Sequence, residues 1–194
     1  MIQVRLAAPR RAALVTGLIL GAALLRALLL PLGDVFSTIV FAGCLVAITG
    51  FGNFPRRLAG KGRVEGLGRA GALVAGLMVG AILLAPVASG PLSARPLSLF
   101  WPWAAIAALV ATLEETSIRG VLYRRWEGEA GTGAAIVVGA AVFALIHLPR
   151  YGLGAMPLDG AVGLALGGLR ALTGRVWPCA VAHTVADWGA WFWA

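Results

Sequence analysis

The spacing of apolar segments constrains this chain more than any other feature. Residues 12–32, 35–51, 70–88, 99–125, 133–148, 159–173 and 177–193 are apolar runs separated by short connectors rich in Gly and Pro. A helix needs about 20 apolar residues to cross the hydrocarbon core of a bilayer, with roughly 17–25 tolerated. The fifth and sixth runs are short for full spans, and the fourth is overlong and polar in its second half. Only helices and closed barrels satisfy every backbone group in lipid. The pattern therefore predicts an all-α fold, a polytopic transmembrane bundle of about seven helices forming a single membrane-embedded domain over residues 1–194. Charged residues make up 12% of the chain, about half the ~25% of a soluble domain, and the mean hydropathy is +0.89.

A net charge of +8 would direct a soluble chain toward nucleic acid. Here the basic residues lie between apolar runs, so they are read as topology signals and no nucleic-acid partner is expected. Arg5, Arg10 and Arg11 precede the first run. Arg56, Arg57, Lys61, Arg63 and Arg69 separate the second from the third. Arg124 and Arg125 follow the fourth, and Arg170 and Arg175 separate the sixth from the seventh. With seven spans all these clusters fall on one side, predicted cytoplasmic together with the N-terminus; Arg95 and Arg150 fall opposite. Trp126 and Trp177 mark one interface, and Trp101, Trp103, Trp191 and Trp193 the other. The basic, then apolar, N-terminus resembles a signal peptide, but no clear cleavage site follows, so a retained first helix is expected. Arginine supplies nearly all the basic charge, and Ala and Gly are abundant, which suggests a GC-rich bacterial genome and the inner membrane. Cys44 and Cys179 fall in apolar runs and form no disulfide framework.

An ionisable group at the centre of a membrane helix costs roughly 2.5–3.5 kcal/mol on insertion scales, so such groups usually have partners and a task. Glu114 and Glu115 end the apolar part of the fourth run, with Arg119 one turn on. Both histidines, His147 and His183, also lie in apolar runs. Phe143 and His147, and His183 and Asp187, have i,i+4 spacing and share a helix face. Glu115 is likewise four residues from Arg119, whereas Glu114 lies about 100° round the helix. One carboxylate is thus expected to pair with Arg119 and the other to stay available. At 1.5 Å per residue, Glu115 stands roughly 15 Å from Arg125, His147 roughly 21 Å from Gly133, and His183 and Asp187 roughly 9 and 15 Å from Trp177. Polar groups from three helices are expected to meet at one level, between the fourth, fifth and seventh helices.

These residues resemble the CPBP family of intramembrane proteases (CAAX proteases and bacteriocin-processing enzymes), which includes the type II CAAX prenyl endopeptidases. The Glu-Glu-x-x-x-Arg motif reads Glu114-Glu115-Thr116-Ser117-Ile118-Arg119, Phe-x-x-x-His reads Phe143 to His147, and His-x-x-x-Asn/Asp reads His183 to Asp187. The stretch from Gly163 to Pro178 is also similar to the family's segment before its third motif. The resemblance covers about the last hundred residues, so residues 99–194 are read as the motif-bearing protease core and 1–98 as family-variable helices.

The resemblance implies an endopeptidase acting on a membrane-associated protein or peptide precursor, with the lipid bilayer as its environment. It makes Glu114 the base that activates water, His147 a residue that holds the water, and His183 and residue 187 the stabilisers of the oxyanion. Glu115, Arg119 and Phe143 support them. Many members carry Asn where this chain has Asp187, and aspartate donates a hydrogen bond only when protonated. Asp187 is therefore read as a protonated donor, an orienter of His183 or a cation ligand. No cofactor is expected to be required. Glu114, His147 and His183 also form a His₂Glu set that a divalent metal such as zinc would accept, but without a His-Glu-x-x-His helix the metal-free reading is preferred.

Other residues have plainer readings. Cys179, one turn before His183, is taken as a core cysteine rather than a thiol nucleophile. Thr116 and Ser117 are expected to bond back to helix carbonyls, and Glu127 and Glu129 to lie in a solvated turn. Arg26 either snorkels to the interface or binds a substrate carboxylate or lipid phosphate. Two rival functions are a non-proteolytic immunity or scaffold protein on the same fold and a proton-coupled transporter, since Glu and His chains also relay protons.

Overall fold

The computed structural model describes residues 9–51, 67–86, 88, 90–92 and 95–193. Arg5, Arg56, Arg57, Lys61 and Arg63 of the expected topology signals lie outside the described residues, as does the side chain of Arg10. All regular secondary structure among the described residues is helical: α1 (Pro9–Leu29), α2 (Asp34–Phe51), α3 (Arg69–Leu84), α4 (Phe100–Glu115), a π-helical segment (Thr116–Leu122), α5 (Tyr123–Tyr151), α6 (Met156–Thr173) and α7 (Trp177–Ala190). Two stretches, Arg11–Leu32 and Leu97–Tyr151, are long and apolar enough to cross a membrane, and Asp34–Gly50 and Arg69–Leu84 are shorter apolar helices.

The second of those stretches has 55 residues, and as one straight helix it would reach about 80 Å at 1.5 Å per residue. It does not run straight. Gly131 breaks it with φ 85° and ψ 172°, backbone angles that a residue with a Cβ rarely adopts. The chain then returns, for the Arg119 guanidinium lies 4.8 Å from the centre of the Phe143 ring. The expected loop between the fourth and fifth runs is thus helical up to this one glycine. Its acids hold structure: Glu129 Oε1 accepts a hydrogen bond from the Ala12 amide in the first turn of α1, a donor that a helix start leaves without an intrahelical partner.

Close helix packing relies on small residues. The Gly163-x-x-x-Gly167 spacing lets α6 lie against α5: a Cβ on Gly163 would sit 2.7 Å from the Ala140 Cα, and one on Gly167 would sit 3.1 Å from the Ile136 Cγ2. A second such pair, Gly76 and Gly80 on α3, admits the backbone of α7, with Pro178 O and Ala182 O each 2.7 Å from where a Cβ would be. The bundle is apolar outside, with Leu28 69% and Ile82 65% exposed, whereas Glu115 and Arg119 are buried at its centre. A surface of that kind suits lipid.

One topology signal is corrected. Arg170 is not a connector charge; it lies within α6, 3% exposed. Its Nε donates to the Arg119 carbonyl at 3.0 Å, and its guanidinium covers the Tyr123 ring. Arg175 does lie in the α6–α7 turn, where Nη1 donates to the Leu67 and Gly68 carbonyls at the start of α3.

Candidate active site

Glu114 and Glu115 are the last two residues of α4, and both are buried. The adjoining π segment carries Arg119; such segments recur at functional sites. Glu115 Oε1 accepts from Arg119 Nη1 at 2.7 Å and lies 3.1 Å from His183 Nδ1. Arg119 Nη2 donates to the Gly163 carbonyl at 3.1 Å, so an acid, a carbonyl and the Phe143 ring together satisfy its charge. Glu115 Oε2 is buried with no hydrogen-bond partner among the described residues. Sequence reasoning paired Glu115 with Arg119 and missed its contact with His183, which only the packing of α7 against α4 creates.

The histidine tautomers follow from their partners. A carboxylate ion-paired with arginine only accepts, as does a backbone carbonyl. His183 Nδ1 therefore donates to Glu115, and His147 Nδ1 donates to the Phe143 carbonyl at 2.8 Å. Each ring then turns Nε2 toward Glu114. His147 Nε2 is 3.9 Å and His183 Nε2 is 4.0 Å from Glu114 Oε2. Both separations exceed a direct hydrogen bond and suit groups that share a third, small species. Phe143 packs against both rings, with its centroid 4.4 Å from that of His147 and 5.2 Å from that of His183.

Asp187 Oδ1 lies 3.7 Å from His183 Nε2, and the Asp187 side chain is 38% exposed. Exposure thus rises from Glu115, at the closed end, through His147 to Asp187, which marks the open side. Glu114, Glu115, Arg119, Phe143, His147, His183 and Asp187 are all brought together.

Two further residues belong to this cluster. Tyr151 stacks on His147 with centroids 5.7 Å apart, one turn farther along α5, and its i+4 spacing was the available signal. Asp159, in the first turn of α6, interacts electrostatically with both histidines, and its Oδ2 is buried without a hydrogen-bond partner among the described residues. Its signal was an acid heading an apolar run. By contrast, Cys179 is buried with Sγ 3.4 Å from the Leu166 carbonyl, and His183 Nδ1 is committed to Glu115, so the two form no dyad. Ser117 bonds back to the Leu113 carbonyl as expected.

Three of these groups present a metal-ligand set. One ligand atom from each of Glu114, His147 and His183 lies within 4.8 Å of the other two. Tetrahedral zinc with bonds of ~2.0–2.1 Å draws its ligands to about 3.4 Å apart, whereas a water hydrogen-bonded at ~2.8 Å holds them about 4.5 Å apart. Separations of 3.9 and 4.0 Å fall between the two, so the residues fit either species.

No curated protein and no solved structure matches the chain. A family model does match, over residues 96–189, and its description is type II CAAX prenyl endopeptidase Rce1-like. The matched segment contains the three motifs and every residue of the cluster. The motif-bearing region of this chain is therefore similar to the Rce1-like type II CAAX prenyl endopeptidases, over just under half of the chain's length.

Proposed function

We propose that the protein is a glutamic intramembrane endopeptidase, cleaving a membrane-associated protein or peptide precursor with water activated by Glu114. The observation that carries this reading is the convergence of two histidine Nε2 atoms on Glu114 Oε2, at 3.9 and 4.0 Å, with each Nδ1 committed elsewhere. Water held between Glu114 and His147 attacks the scissile carbonyl carbon, and Glu114 takes its proton. The carbonyl π electrons move onto oxygen. His183, protonated on both nitrogens and backed by Glu115, donates from Nε2 to that oxyanion. When the intermediate collapses, the C–N bond breaks and Glu114 returns the proton to the leaving amine. Asp187, 3.7 Å from His183 Nε2, acts as an orienter of that ring in place of the amide donor that Asn would supply.

Glu114, His147 and His183 would hold a divalent metal such as zinc, whose chemistry would be to polarise the water and the carbonyl. The steps above need only side chains, and we favour the metal-free enzyme. Chelation of the purified protein should leave cleavage unchanged; a loss restored specifically by zinc would reverse this choice. We place the protein in a bacterial inner membrane with its N-terminus cytoplasmic. The tie between Arg175 and the start of α3 supports that sidedness, because it puts the basic α6–α7 turn and the first residues of α3 at one end of the bundle.

Comparative peptide mapping of membrane and secreted proteins, with and without Glu114, tests the reading. Glu114→Gln and His147→Ala should abolish processing, at least 100-fold for loss of a general base, while leaving insertion and folding intact. Full biological activity in both variants would eliminate the enzyme and favour the immunity, scaffold or transporter readings.

A further inference from the structure

The proposed chemistry leaves one buried arginine without a task. Arg170 is 3% exposed within α6. Among the described residues, the carboxylates within 4 Å of a basic nitrogen pair with Arg119, Arg150 and the two histidines, and none with Arg170. Charge pairing does not account for its burial, so its donors must. Nε donates to the Arg119 carbonyl at 3.0 Å.

The π segment explains why that carbonyl needs a donor. Its last bond runs from the Tyr123 amide to the Ile118 carbonyl, and the α-helix resumes at Tyr123. Where i→i−5 bonding gives way to i→i−4, one carbonyl is passed over. The carbonyl after that of Ile118 belongs to Arg119. Buried carbonyls rarely stay unpaired, and Arg170 supplies the missing donor. Its guanidinium also lies 4.9 Å from the centre of the Tyr123 ring, so it touches both sides of the π-to-α transition. About two turns earlier on the same face of α6, the Gly163 carbonyl accepts from Arg119 Nη2 at 3.1 Å. Helix α6 thus holds Arg119 by its side chain and by its backbone.

We propose that Arg170 is a positioning residue that holds the π turn and so keeps Glu114 and Glu115 facing the histidines. This rests on the peptidase reading and adds a residue outside its three motifs. Without the donor, the turn relieves its stranded carbonyl by rewinding to α geometry, which turns the glutamates by about 100° relative to Tyr123. Helix α4 cannot follow freely, because Trp188 Nε1 donates to its Ala104 carbonyl at 2.9 Å. The strain falls on the residues between, and Glu115 leaves His183.

The test reads the hydrogen bonds of the site directly. The full-length protein, isotopically labelled on nitrogen only at its two histidines, is studied by NMR in detergent micelles. His183 Nδ1–H should show the low-field signal of a bond to Glu115. His147 Nδ1–H, bonded to Phe143 within α5, is the internal control. Arg170→Met should abolish the His183 signal and keep that of His147. It should also lower kcat for the precursor found by peptide mapping about 100-fold, the effect of a misplacement on the order of 1 Å, with KM unchanged. Arg170→Lys, which retains a donor on a long stem, should restore part of both. Removing Gly120 shortens the Tyr123-to-Ile118 spacing by one residue and leaves no carbonyl passed over, so it should rescue Arg170→Met. An unchanged His183 signal in Arg170→Met overturns the proposal. If both histidine signals vanish, the Arg170→Met variant lacking Gly120 decides. Their return supports the proposal, and their continued absence makes Arg170 a stability residue only. Were the peptidase reading to fail, Glu114→Gln would still process substrate in the mapping experiment, while His183 responded to Arg170→Met as described.

Discussion

The two halves of the bundle bury different things. In α4 to α7 the interior holds Glu114, Glu115, Arg119, Arg170 and His183, whereas Ser37 is the buried polar residue of α1 to α3 among the described residues. Neither lipid nor packed protein can hydrate a charge, so each interior charge of the second half must be met by another side chain or a backbone carbonyl. Glu115 takes Arg119 and His183, Arg119 takes Gly163 and Phe143, and Arg170 takes the Arg119 carbonyl. Such a network changes as a unit. The first half has to supply shape, and small or apolar residues do that in many combinations. This explains why the family match begins at residue 96 although α3 packs directly on the helix that bears His183.

The sharpest way to break this contrast is to remove one member of the network. Arg119→Met should cost about 3–5 kcal/mol, because it strands a buried Glu115. Denaturant or thermal unfolding in detergent reads that loss. Unchanged stability would mean that the interior charges do not depend on one another as described.

A shape defect in the first half should cost less and act differently. On Gly80→Ala the new Cβ would lie 2.7 Å from the Ala182 carbonyl oxygen and 2.9 Å from the Val185 Cβ. Backbone yields poorly, and overpacking typically costs about 1–3 kcal/mol. Because His183 follows Ala182 directly, α7 must shift the imidazole, so proteolysis should fall further than stability does. The control is Gly43→Ala on α2, which meets nothing within 4 Å and should stabilise the helix by up to about 1 kcal/mol. If the two substitutions behave alike, α3 does not position the helix that bears His183.

The same contrast explains what the sequence could disclose. Helix content and the three motif pairs follow from hydropathy and i,i+4 spacing, which are local. Glu115 and Arg119 could be paired by counting along one helix. The bond from Glu115 to His183 spans 68 residues, and no periodicity encodes it. Arg170 looked like a connector charge because it stands near the end of an apolar run; its burial depends on an acceptor, the Arg119 carbonyl, that belongs to another helix. The Gly131 break was hidden because glycines recur throughout the chain and only the return of α5 across the π segment singles this one out. Gly76 and Gly80 were hidden by the same abundance. In each case the missing information was a partner distant in sequence.

The smallest effect isolates burial from geometry. Asp34 and Arg150 pair across the start of α2 and the end of α5 at 2.7 Å, the same separation as Glu115 and Arg119, but with side chains 56% and 41% exposed. At such exposure the aqueous phase solvates both ions when they separate, so the pair gains little over its parts. Asp34→Asn should therefore change stability by only about 0–1 kcal/mol, and the change should shrink as salt is raised toward 1 M, where the screening length falls to about 3 Å. Arg119→Met should stay costly over the same salt range, since ions do not enter the core. If Asp34→Asn instead proves as damaging as Arg119→Met, bond length rather than desolvation sets the cost, and the contrast between the two halves loses its physical basis.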